Sequence, residues 1–109
     1  MKNNSTLSVD VVNCWHDTSS GWTGNSLPPC ASMYSLNSWN AAYWVNPGGL
    51  STNLSNKYYD VDAFYARPGC VTSGHFSGGT TLHYDRRGRA GQWVRVYGTD
   101  TANINYVIC

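Results

Sequence analysis

The chain contains no glutamate and only two lysines, Lys2 and Lys57, and charged residues make up just 12% of its 109 positions. The net charge of +1 argues against nonspecific attachment to nucleic acid or to an anionic membrane as the main role. Long apolar runs are missing too: none reaches the roughly 20 residues of a membrane-spanning helix, so no membrane insertion is expected. No stretch of twelve residues repeats apolar positions at three and four, which removes the helical signal. Carboxylate chemistry is thin as well. Six aspartates carry all the acidic charge, and only Asp60 and Asp62 form a close same-face pair. Two residues apart on a strand, they are neighbours and do not flank a substrate. Neither a G-x-S-x-G elbow nor a phosphate-cradling glycine loop occurs.

What the chain does have is four cysteines, Cys14, Cys30, Cys70 and Cys109. An even count in a short chain points to a disulfide framework and an oxidising compartment. The cysteines lie 16, 40 and 39 residues apart, far wider than the close pairs of structural zinc sites, so no metal is expected. Three pairings are possible. The simplest joins Cys14 to Cys30 and Cys70 to Cys109, closing loops that would contribute about 3 and about 4 kcal/mol. Residues 1–6 lack an apolar leader core and are expected to be flexible; if the protein is secreted, its signal peptide has been removed. Asn3, Asn4 and Asn53 stand in N-x-S/T sequons.

Alternation of apolar and polar residues replaces helical periodicity. Strands are expected over 7–15, 31–36, 41–46, 57–66, 71–76, 80–85, 92–97 and 103–108. In 57–66, Tyr59, Val61, Ala63 and Tyr65 share one face, and Tyr58, Asp60, Asp62 and Phe64 share a wetter one. Pro28-Pro29, Asn46-Pro47-Gly48-Gly49 and Arg67-Pro68-Gly69 break the chain, and Ser77-Gly78-Gly79 suits a hairpin turn. The longest loops fall between 16 and 29 and between 46 and 57. About eight short strands at this spacing predict one all-β domain over 1–109: a small antiparallel sandwich or Greek-key barrel stapled by two disulfides. A faint echo at an offset of 49 matches Ala41–Val45 to Ala90–Val94 and so aligns Trp44 with Trp93.

Two clusters carry chemistry. His83, Asp85, Arg86, Arg87 and Arg89 crowd one hairpin arm, and His75 lies on the arm before it. Two histidines beside arginines suit phosphodiester cleavage, one as base and one as acid, with Arg86 stabilising the charged transition state. Asp85, two residues from His83, would orient the imidazole. The bland alternative is a solvated basic hairpin tip. The second cluster is aromatic. Trp22 and Trp39 sit among turn formers, with Asn37 and Asn40 beside Trp39, whereas Trp15, Trp44 and Trp93 read as strand core. A loop aromatic ringed by amides offers a flat C–H-binding face with hydrogen-bonding edges, which suits a sugar or a protein hot spot. The same two tryptophans could instead fold back to cap the sandwich ends.

The sequence is thus read as a secreted, non-catalytic binding module for carbohydrate or a cell-surface polymer. Its ligand-binding residues are Trp22, Trp39, Asn37, Asn40, Arg86, Arg87 and Arg89, with no cofactor and a glycan or extracellular protein as partner. One alternative is a secreted inhibitor, antimicrobial or toxin protein. The other is a small nuclease acting through His75 and His83 with Arg86, the one reading in which nucleic acid is a partner.

Overall fold

The computed structural model describes residues 1–15, 21–24 and 26–109. Among these residues nine strands form: β1 Lys2–Asn3, β2 Val9–Val12, β3 Gly21–Thr23, β4 Ala42–Val45, β5 Ala63–Ala66, β6 Val71–Phe76, β7 Thr81–Asp85, β8 Gln92–Arg95 and β9 Ala102–Ile108. They make a four-stranded sheet of order β1-β9-β6-β7 and a five-stranded sheet of order β3-β8-β5-β2-β4. All neighbours pair antiparallel except β1 and β9, which run parallel. The disulfides are Cys14–Cys30 and Cys70–Cys109. A bulge between Ser73 and Gly74 lets β9 press against β6. Gly74 is required there, because a Cβ would run into the Asn103 carbonyl.

The alternating residues build two cores. Between the sheets, Val9, Val11, Val45, Phe64 and Val94 meet Leu82, Ile104 and Val107. On the outer side of the five-stranded sheet, Trp93 packs with Val12, Ala42, Ala63 and Ala31. Leu27 packs against this second cluster, and the Cys14–Cys30 bond lies within it. The Trp93 indole N–H donates to the Ser26 carbonyl at 3.1 Å. With both faces of its sheet covered, β2 buries Val11 and Val12 alike, which explains the adjacent valines where strict alternation would place a polar residue.

Several expectations change. Segment 31–36 is not a strand. It pairs with the sheet backbone by a single bridge, Tyr34 to Ala42, and runs on from the covering segment around Ala31. In 57–66 only Ala63–Ala66 is extended; Asn56–Tyr58 is a 3₁₀ turn whose Lys57 N–H is capped by Ser55. The face assignment there fails accordingly. Tyr58 and Phe64 are fully buried and Tyr59 is exposed, because Tyr58 leaves the strand plane to donate its hydroxyl to the Ser35 carbonyl. Residues 1–6, expected to be flexible, include β1 and the fully buried Asn3. The Asn3 side-chain amide donates to Leu7 and Val45 carbonyls at 2.8 and 2.9 Å, tying the first sheet to β4 of the second. Trp44 is not core: β4 is an edge strand, and its ring is 38% exposed and stacked on Tyr43 at 4.1 Å. Of the loop expected over 16–29, residues 16–20 and 25 lie outside the described residues, and Gly21–Thr23 forms β3.

Candidate ligand-binding site

Asn13, directly after β2, organises the loop that carries Trp39. Its side-chain amide donates to the Ser38 carbonyl at 3.0 Å and the Lys57 carbonyl at 3.2 Å. Its oxygen accepts from the Ala41 N–H at 2.8 Å. Ser55 adds a bond to the Leu36 carbonyl at 2.7 Å, and Tyr58 closes on Ser35 from below. Loop 35–41 is therefore fixed at both ends by buried side chains, and the Trp39 ring stands out from it, 60% exposed. The Lys57 ammonium lies 4.6 Å over the Trp39 ring centre, a cation–π contact that fixes the ring and occupies one of its faces. Asn37 is exposed on the same loop. Asn40 takes a left-handed backbone (φ 57°), a conformation asparagine tolerates well.

Asn40 also lines a cleft of about 460 Å³ together with Trp15, Asp62, Pro29 and the Cys14–Cys30 bridge. Asp62 is half-buried. Burial first, and the charge of Asp60 second, push its carboxyl up to about 6, while Arg95 pulls the other way. Since this value exceeds that of an unfolded aspartate, the folded protein holds the proton more tightly. The stability contributed is complete below the unfolded value of about 4 and is lost as pH rises through about 6. Asp62→Asn is thus expected to flatten the fall in stability between about pH 4 and 6. At neutral pH it should gain about 1 kcal/mol, a figure reduced for the partial exposure of the group. Urea denaturation across that range checks this, and an unchanged pH slope rejects it.

The other sequence-selected residues are scattered. Trp22 is on β3 opposite Trp93, half-buried against the outer core, and is not a loop platform. Arg86 donates through Nε to the Ala90 carbonyl at 2.7 Å. Arg87 clamps Asp85 through Nε at 2.9 Å and Nη2 at 2.8 Å, which holds that carboxyl well below the usual carboxylate range. Arg89 is exposed at the same turn. Asp85 is thus spoken for and does not orient His83. His83 pairs with Ser73 and His75 with Thr81, so the two imidazoles lie diagonally and not across the ladder. The His83 imidazole approaches the Ser73 hydroxyl at a long 3.5 Å. His75 and His83 are diagonal neighbours on one face of the hairpin, while Asp85 is held by Arg87 and Arg86 by the Ala90 carbonyl.

Among the described residues no three metal-ligating side chains come together, and no helix is long and apolar enough to cross a membrane. Comparisons with protein-family models, curated proteins and solved structures return no match. The functional reading therefore rests on the geometry of this chain. Sequence reasoning found Trp39, Asn37 and Asn40 from local composition. It missed Lys57, Asp62 and Trp15, because only the pairing of β2 with β5 brings residues near 13 and near 62 together.

Proposed function

We propose that the protein is a secreted, non-catalytic binding module that recognises carbohydrate on the surface carrying Trp39. The observation that supports this is an exposed indole on a loop immobilised by buried hydrogen bonds. Such a ring loses little conformational entropy when a ligand stacks on it, and preorganisation of this kind favours affinity. Asn37 and Asn40, exposed on the same loop, add amides that both donate and accept, matching sugar hydroxyls. The two disulfides are in keeping with an extracellular setting.

Retention on insoluble polysaccharides tests the reading. Trp39→Ala is expected to weaken binding about tenfold or more, the effect of losing one aromatic anchor. Trp22→Ala serves as a folded-sheet control and should leave retention unchanged. If no polysaccharide retains the protein, or Trp39→Ala is retained as well as the natural protein, the reading is wrong.

A second reading has its own support. The exposed 86–89 turn is rigid, with Gly69 N–H bonded to the Arg86 carbonyl and Arg86 N–H to the Cys70 carbonyl. A stiff basic turn buttressed by the Cys70–Cys109 bridge suits docking to an acidic protein partner. Protease inhibition lost in Arg89→Ala, without polysaccharide binding, would decide for it.

A further inference from the structure

Between the β6–β7 hairpin of one sheet and β8 of the other lies a cleft of about 270 Å³. It is separate from the Trp39 loop, and sequence patterns do not mark it. Phe76, Tyr84 and Tyr97 give it aromatic walls. The Tyr84 ring is set edge-on against Phe64 at 6.0 Å, and the Arg95 guanidinium carbon lies 4.8 Å over the Tyr97 ring, so both rings are held in place. Asp100 is fixed as well: its Oδ1 accepts from the Ser77 hydroxyl at 2.7 Å and the Gly78 N–H at 2.9 Å. Tyr84 and Gln92 also line the cleft, and neither the phenol hydroxyl nor the carboxamide has a hydrogen-bond partner among the described residues.

These features select a ligand. The volume lies just below the range of about 300–1,000 Å³ for drug-sized ligands, which suits a single ring. The lining carries both signs, the Asp100 carboxylate opposing an anion and the Arg95 guanidinium opposing a cation, so a neutral ligand meets the least opposition. The phenol and carboxamide both donate and accept, so they match groups that do the same, which hydroxyls do and a bare aromatic ring does not. We propose that this cleft binds one neutral sugar ring, its C–H face against the aromatic walls and its hydroxyls on Tyr84, Gln92 and Asp100. The assignment does not rest on Trp39, since the two sites share no residue.

The test is amide NMR titration of the whole chain with glucose, galactose, mannose and N-acetylglucosamine up to about 50 mM, a range suited to millimolar dissociation constants. Saturable shifts are expected at Phe76, Gln92, Tyr97 and Asp100, and they should persist in Trp39→Ala. Affinity should fall about tenfold in Gln92→Ala and in Tyr97→Ala. Tyr97 is half-exposed, so its replacement leaves the fold intact and the result readable. A longer saccharide binding more tightly than its monosaccharide would assign the ring to a glycan end, and equal affinity to a free sugar; both support the site. No saturable shift from any of the sugars, shifts confined to the Trp39 loop, or saturation by phenol, benzoate or tetramethylammonium alone would each overturn it. Loss of polysaccharide retention in Trp39→Ala together with unchanged cleft titration separates the two sites.

Discussion

Replacing Cys70 and Cys109 together by alanine should lower the unfolding free energy by about 4 kcal/mol, the chain-entropy estimate for a loop of this length. For a domain holding about 5–15 kcal/mol this is a large share, and the thermal midpoint should fall by about 20 °C. The bond lies where the chain needs it. Val71 pairs with Ile108, so the bridge extends that ladder by one step and pins the far end of β9. Strand β9 is interior to its sheet, between β1 and β6, and sends Ile104 and Val107 into the core. Without the bridge, Val107 and Ile108 should lose hydrogen-exchange protection first, while Ile104, beyond the bulge and backed by β1, should keep it. Denaturation in urea with exchange readout checks both parts. A loss below about 1 kcal/mol would mean that β9 is held by its ladder alone and that the unfolded chain gains little freedom.

How far the sequence was legible follows from which physical terms are local. The strands bounded by strong turn chemistry, β6 and β7 around Ser77-Gly78-Gly79 above all, lie within a residue or so of where alternation places them. The local disulfide pairing is the one realised. What alternation could not reveal is a covering layer. Residues 31–36 read as a strand, yet they continue a segment that packs through Ala31 on the outer face of a sheet, and that role depends on Trp93, distant in the chain. The same holds for Tyr58, drawn out of its expected strand by a carbonyl on residue 35. At the candidate site the exposed Trp39 was legible from its turn-forming neighbours. Asp62 and Lys57 were not, because they reach it only through tertiary pairing.

The tryptophans sharpen that contrast into a measurement. Trp93→Ala should cost about 3–5 kcal/mol, the range for deleting a fully buried large aromatic. Trp93 is 1% exposed, packs on Tyr65 at 4.9 Å between ring centres, and donates its indole N–H to the Ser26 carbonyl. Its removal leaves a cavity beneath the covering segment and an unpaired carbonyl, so the segment has little else to rest on. Trp44 occupies the matching place in the offset-49 echo and likewise reads as strand core, yet it lies on an edge strand with its ring stacked on Tyr43. Trp44→Ala should therefore cost about 1 kcal/mol, mainly lost aromatic contact. Urea denaturation of the two variants, followed by circular dichroism, gives the comparison directly. Equal costs would mean that the outer core is not a stabilising layer and that the segment over Trp93 lies there without being held. A large difference would locate the second core on the outer face of the five-stranded sheet. It would also help to explain why a chain with so few charges carries five tryptophans: Trp93, Trp22 and Trp15 pack on a face that most sandwiches leave to water.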